Sequence, residues 1–244
     1  MRGIGTIINV ILVVIGSLLG LVLKKAIPER LKESLVNALG LCTIAIGLTG
    51  IVTASLRVNG KALSSNYIIV MVLCMALGTL IGELIDIEKR LNNLGKFFER
   101  KFSSQNSTFS QGFVTASLVF CVGSMTILGA LNDAIMGDST ILITKSLLDA
   151  VMAVVFSSTL GIGVMFSALT VLFYQGLITL CASFISPFLT DVVISEMSLI
   201  GSLLILGIGL NFLYKPSLKL SNMLPSMFLP LLYYVLEVFF ERMF

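Results

Sequence analysis

Histidine and tryptophan are absent from this 244-residue chain, and charged residues make up only 12% of it. The absence of histidine argues against zinc sites and imidazole proton relays. The charged fraction falls well below the roughly 25% of soluble domains. With 57% apolar residues and a mean hydropathy of +1.04, a water-soluble fold would expose far too much apolar surface. Catalytic motifs are missing too. There is no GxSxG, no HExxH and no Walker loop, so the sequence argues against an enzyme and implies no cofactor and no metal. The four cysteines, Cys42, Cys74, Cys121 and Cys181, stand singly in separate apolar segments without CxxC spacing, and read as small buried hydrophobes.

What the chain does have is apolar segments, eight of them, each judged against the roughly 20 residues a helix needs to cross a bilayer. They cover about Ile4 to Leu23, Leu35 to Leu56, Tyr67 to Ile87, Gly112 to Leu131, Thr140 to Phe156, Leu160 to Phe184, Ser198 to Tyr214 and Leu224 to Phe240. The first is a retained span: only Arg2 precedes it, no small-residue cleavage site follows, and it ends at Lys24-Lys25. Arg57 to Asn66 is a short polar link, and residues 88–111 form a basic loop between spans 3 and 4. The fifth span is the least secure. It is short, carries Lys145 and Asp149, and is separated from span 6 only by Ser157-Ser158-Thr159. A full crossing is favoured over a re-entrant, broken helix shielded by its neighbours.

Loop charges test the count. With eight crossings and the N-terminus outside, the inner loops hold Lys24, Lys25, Arg30, Lys32, Lys89, Arg90, Lys96, Arg100, Lys101, Lys215 and Lys219, eleven of the sixteen basic residues. Outside lie Arg2, Arg57, Lys61 and Arg242. Basic residues favour the cytoplasmic side, so both termini are expected outside. If span 5 did not cross, Lys215 and Lys219 would move outside. The basic loop reads as a positive-inside anchor touching anionic lipid, not as a nucleic-acid surface.

Repeats are faint. GSLLGLVLKKAIPERL in span 1 and GTLIGELIDIEKRL in span 3 both place glycines one turn apart, Gly16/Gly20 and Gly78/Gly82, followed by a charged exit. Such pairs let helix backbones approach closely, within one subunit or between subunits, and leave a homo-oligomer open. Segments Pro28 to Gly47 and Pro187 to Gly207 also resemble each other while crossing in opposite directions, a hint of an inverted repeat. Gly161-Ile162-Gly163 and Gly207-Ile208-Gly209 suggest loosened helices.

The sharpest polar constellation is Asn132, Asp133, Asp138, Lys145 and Asp149. Charges in a lipid-like stretch cost roughly 2.5–3.5 kcal/mol each on insertion scales. Lys145 and Asp149, one helical turn apart, lie on one face and neutralise each other. Asp133 and Asp138 sit where span 4 hands over to span 5, as carboxylates of a cation site or polar gate would; the alternative is solvated loop residues beside a structural ion pair. Glu83, followed by Asp86, lies toward the inner end of span 3, where it reaches the interface or serves a path. Tyr174 and Gln175 in span 6, with Asn9, Asn37 and Asn211, could line that path or make interhelical hydrogen bonds.

The run GSMTILGALNDAIMGD…KSLLDAVMAVVFSSTLGIGVMFSA…YQG, with the opening GTIINVILVVIGSLLG, resembles the YqgA/YdfK-like family of uncharacterised bacterial inner-membrane proteins, a domain of unknown function. The resemblance covers nearly the whole chain. It implies a polytopic bacterial membrane protein for which transport is often supposed, and assigns no residue a role. The chain departs from the family pattern at Ala134 and Ala150, where glycine is frequent. The expectation is therefore an all-α integral membrane bundle of about eight spans, one domain over residues 1–244. Its partners would be the bilayer and a small polar or ionic solute, with no nucleic acid. Its function would be gradient-driven transport along spans 4 to 6. Asp133 and Asp138 would form an outward vestibule, and Lys145 and Asp149 a pair that parts. The rival is a structural or regulatory protein docking through its glycine faces.

Overall fold

The computed structural model describes residues 3–26, 28–59, 62–65, 67–91, 93, 109–122, 124–214 and 218–243. Among the loop charges of the topology argument, Arg2, Lys61, Lys96, Arg100, Lys101 and Lys215 lie outside the described residues, as does most of the basic loop 88–111. Helices dominate: α1 (Ile4–Ala26), α2 (Glu29–Ser55), α3 (Ile68–Ile85), α4 (Phe109–Cys121), α5 (Ser124–Ile135), α6 (Thr140–Leu160), α7 (Gly163–Leu180), α8 (Asp191–Tyr214) and α9 (Leu229–Met243). A short helix, Leu220–Met223, and a 3-10 segment, Leu224–Phe228, lead into α9. Among the described residues seven helices are long and apolar enough to cross a membrane, and an eighth crossing arises if the bent pair α4–α5 is one span.

The bundle is built with its oil outward. Along α1, Ile7, Ile11, Leu18 and Val22 are exposed, while Gly5, Asn9, Val13, Gly16 and Gly20 are buried. Lipid is as apolar as leucine, so burying leucine gains little; small residues that permit close contact and polar residues that need partners go inside. A Cβ on Gly16 or Gly20 would collide with the Ala150 or Val154 carbonyl of α6. Ala150 is thus a small residue at one of the points where α1 presses close. Gly40 and Gly47 meet Leu213 and Leu206 of α8, and Gly78 and Gly82 meet Ser226 and Asn222 ahead of α9. α8 is the central helix, with 78% of its apolar window buried.

These registers fix directions. α1 and α6 run parallel, since Gly5 lies beside Leu142 and Gly20 beside Ser157. α4 and α7 also run parallel: Gly112 lies beside Val164, and Ser117 Oγ meets Thr170 Oγ1 at 3.0 Å. The α2–α8 and α3–span 8 pairs are antiparallel. Spans 1 and 5, 4 and 6, 2 and 7, and 3 and 8 therefore have the relative directions that eight alternating crossings require.

Three expectations are corrected. The insecure element is span 4, not span 5. Span 4 bends by 59° between Cys121 and Met125, whereas α6 is an unbroken 21-residue helix. Its end runs through Ser157-Ser158-Thr159, the supposed link; the turn falls at Gly161, whose φ of 83° suits glycine. The Gly207–Gly209 region is continuous helix. Second, the polar link after α2 is built as a β-hairpin, Leu56–Asn59 with Ala62–Ser65, while the architecture of the described residues is all-α as expected. Third, Cys42 is exposed rather than buried.

Candidate solute site

The break in span 4 is where buried charge gathers. α4 ends at Cys121, so its last carbonyls lack partners within the helix and carry the negative end of its dipole. Lys145 of α6 donates from Nζ to the Phe120 carbonyl at 2.6 Å, and Thr126 Oγ1 donates to the same oxygen at 3.3 Å. The ammonium also meets Asp149 Oδ2 at 2.5 Å, one turn along α6. Asn9 of α1 donates Nδ2 to that carboxylate oxygen at 3.0 Å. Lys145 and Asp149 are each 6% exposed. The interior thus holds a neutral pair whose cation is shared with a helix end. Stripping either partner from such a pair costs about 3–5 kcal/mol.

Asp133 does something else. It is fully buried. Its Oδ2 accepts the Gly5 N–H at 2.9 Å and its Oδ1 accepts the Ser139 hydroxyl at 3.3 Å. Gly5 lies in the first turn of α1, where N–H groups are orphaned and the dipole is positive. Asp133 therefore caps α1 from 128 residues away. The expected outward vestibule of Asp133 and Asp138 is corrected: one carboxylate is sealed and committed. The other is exposed and accepts the Thr140 N–H at 3.0 Å at the start of α6. Its hydrogen bonds with Thr140 hold the Asp138 carboxyl below the usual carboxylate range. Asn132 is half-buried, and its backbone carbonyl accepts the Met136 and Asp138 N–H groups, closing α5.

Gln175 is fully buried, and neither Nε2 nor Oε1 has a partner among the described residues. The Tyr174 hydroxyl, Thr6 Oγ1, Asn9 Oδ1 and Thr179 Oγ1 are in the same state. Each orphaned group costs roughly 1–3 kcal/mol if nothing joins it. The α4–α7 register that sets Ser117 against Thr170 puts Tyr174 and Gln175 level with the break one turn further on.

Two cavities border α4. The outer, about 390 Å³, is lined by Glu88, Ser110, Gln111, Asn211, Lys219 and Ser221, among others. The inner, about 200 Å³, is bounded by Ser117, Cys121, Val122, Thr170, Tyr174 and Phe228. Val114 lines both, the mouth of the outer one lies by Lys219, and Phe120, Lys145 and Asp149 line neither. Near the mouth, exposed Glu83 pairs with Lys219 at 3.3 Å. The Glu88 N–H donates to Asn222 Oδ1 at 2.7 Å, and burial pushes the Glu88 carboxyl up. Asn211 is held by the backbone of Leu218 and Asn37 is exposed, so neither joins the central group. Gly16, Gly20, Gly78 and Gly82 are spent on contacts within the chain.

Sequence reasoning gave no weight to Thr6, Thr179 or the Phe120 carbonyl. A signal existed for the first: Thr6 and Asn9 share the small-residue face of α1, opposite its isoleucines.

A family model described as a protein of unknown function (DUF554) matches residues 4–235. The uncharacterized membrane protein YdfK of Bacillus subtilis (strain 168) is 35% identical over 226 residues, 93% of this chain and 93% of that one. The uncharacterized protein YqgA of Escherichia coli (strain K12) is 33% identical over 233 residues, covering 93% and 94%. No solved structure matches.

Proposed function

This chain belongs to the DUF554 family of proteins of unknown function, an affiliation that names no activity, and from its own geometry we propose a gradient-driven transporter or channel-like permease for a small polar or charged solute. One observation carries the reading: a buried Lys145–Asp149 pair is shared with the carbonyl end of a broken helix, α4, and that same helix borders two cavities. Broken helices whose ends face a midplane site are a recurring device of secondary transporters. The solute path runs along α4 between α7 and the eighth span, one element away from the spans 4 to 6 expected from sequence. Lys145 and Asp149 are its charge pair, and Glu83 and Lys219 flank the mouth. Asp133 is an anchor rather than a vestibule.

The pairing of spans supports an inverted repeat. The helices that carry Pro28 to Gly47 and Pro187 to Gly207 pack antiparallel, α2 on α8, and the two segments meet at their ends, with Gly47 on Ser202 and Leu206. Spans 1 and 6, and 3 and 8, face each other likewise. We place the protein in the bacterial inner membrane with both termini outside, since the face bearing Lys24, Lys89, Arg90 and Lys219 is the basic one. An enzymatic role is not part of this reading. A purely structural role loses its docking faces, because the glycine pairs are used internally.

The test is flux in proteoliposomes, using counterflow of labelled amino acids, sugars and inorganic ions against empty vesicles. Asp149→Asn is expected to insert normally and to lose the flux. Folded, incorporated wild-type protein that moves none of these solutes would sink the transport reading.

A further inference from the structure

The two cavities that border α4 differ in kind. The outer one, about 390 Å³, lies against the first turns of the helix, at Ser110, Gln111, Val114 and Thr115. That volume is within the range of small-molecule sites. Glu88, Lys219 and Ser221 stand in its other walls. Thr115 and Ser221 are 3% and 7% exposed, and their hydroxyls find no partner among the described residues. The half-buried Glu88 carboxyl has none either, since it is the backbone N–H of Glu88 that meets Asn222. α4 starts beside these groups. Its first-turn N–H groups lack partners within the helix and carry the positive end of its dipole.

The inner cavity, about 200 Å³, follows α4 from Phe113 to Val122 and shares Val114 with the outer one. That stretch of helix rises about 13–14 Å, close to the half-thickness of a bilayer's hydrocarbon core, about 15 Å. Phe113, Leu118, Val122 and Met227 give it hydrocarbon walls. The polar side chains among them are turned to each other or sealed. Ser117 Oγ meets Thr170 Oγ1 at 3.0 Å. The Tyr174 hydroxyl is buried, and its ring packs edge-on against Phe228 with centroids 6.3 Å apart. A hydrocarbon chain needs nothing from such walls but space. A polar cavity at the membrane face, followed by an apolar one of leaflet depth, has the shape of an amphiphile. The charges say which. Lys219 is already paired with exposed Glu83 at 3.3 Å. Glu88 is thus left for a cation, while the α4 amides and the two free hydroxyls suit an anion.

We propose that the two cavities along α4 bind one phospholipid from the leaflet on the face where α4 begins, with a headgroup carrying a phosphate and a primary ammonium, that of phosphatidylethanolamine. Its ammonium meets Glu88. Its phosphate takes the first-turn amides of α4 and the hydroxyls of Thr115 and Ser221, and one acyl chain lies between Phe113 and Val122. The surrounding bilayer is as apolar as the inner cavity, so the chain adds fit and the headgroup decides selectivity. The proposal stands apart from the transport reading: this lipid lies in the groove assigned to the solute, as an occupant that a moving solute displaces.

The experiment is native mass spectrometry of the purified protein in detergent, with dioleoyl phosphatidylethanolamine, phosphatidylcholine and phosphatidylglycerol added at equal concentration. Phosphatidylcholine keeps both charges, but its quaternary ammonium donates no hydrogen bond; phosphatidylglycerol keeps the phosphate without the cation. One phosphatidylethanolamine per chain is expected to be retained, about tenfold more tightly than either, the contribution of one hydrogen bond to a charged group. Glu88→Gln, at the half-exposed mouth, is expected to shrink that preference severalfold while a lipid still binds. Val114→Trp fills the point that the cavities share and is expected to remove the retained lipid; Glu88→Gln decides the case alone if that variant does not fold. No retained lipid, equal retention of the three lipids, or a full preference surviving in Glu88→Gln would overturn the proposal. Flux without selective lipid binding removes the lipid and leaves transport standing. Selective binding without flux does the reverse.

Discussion

Two seams in this bundle use the same device for different ends. Between α2 and α8, Gly40, Gly47 and Gly209 let the backbones touch. The buried hydroxyl there settles within its own helix, with Thr43 donating to the Leu39 carbonyl at 2.7 Å. Between α1 and α6, Gly16 and Gly20 do the same work. One to two turns away the seam holds Asn9, Asp149 and Lys145, tied to each other and to a helix end on a third element. The first seam asks nothing of its surroundings. The second is stable only while three elements stay together. Close packing by glycine therefore marks where helices meet, not where function lies; the polar residues crossing the seam make that distinction.

The largest expected contrast is Asp149→Ala against Thr43→Val. The first strands a buried ammonium and should cost about 3–5 kcal/mol. The second removes a bond local to one helix and should cost about 0.5–1.5 kcal/mol. Equal losses in thermal unfolding would erase the difference between the seams. Replacing Lys145 and Asp149 together, by Met and Leu, sharpens the comparison: stability should hold or rise by about 1–4 kcal/mol, while vesicle flux disappears. A double variant that keeps its flux would make the pair structural. Asp133→Ala should cost about 0.5–2 kcal/mol, as lost N-caps do, with faster hydrogen exchange confined to the first turn of α1. Exchange rising equally in α8 would contradict a local anchor.

The smallest effects belong to the mouth. Lys219→Ala removes an exposed pair and should change stability by less than about 1 kcal/mol. Glu88 has its carboxyl raised by partial burial, so the folded state holds its proton more tightly than the unfolded chain. Its favourable contribution is complete below the ordinary carboxylate value and fades as pH rises through the raised one. Glu88→Gln should flatten that part of the stability–pH curve; an unchanged slope would remove Glu88 as its source.

Much of this was legible from residue spacing. Gly16/Gly20 announced a close approach, and Lys145/Asp149, four apart, announced a pair on one helical face. Both are local facts about one helix. What could not be read depends on a second element. The partner of Asp133 is an N–H 128 residues earlier, and no local rule points to it. The break fell in span 4 because a lysine from α6 and the Thr126 hydroxyl meet the freed Phe120 carbonyl. The charges that made span 5 look unstable instead stabilise a break next door.

The same long reach governs how the protein is made. Asn9 meets Asp149 140 residues later, and α2 and α3 likewise find their partners on the last two spans. At a synthesis rate of roughly 5–20 residues per second, α1 waits about 7–28 seconds for α6. During that interval the first three spans present bare glycine grooves to lipid. Insertion and assembly are thus separate acts here, and the newborn N-terminal half is the stage most open to wrong partners and to quality-control proteases.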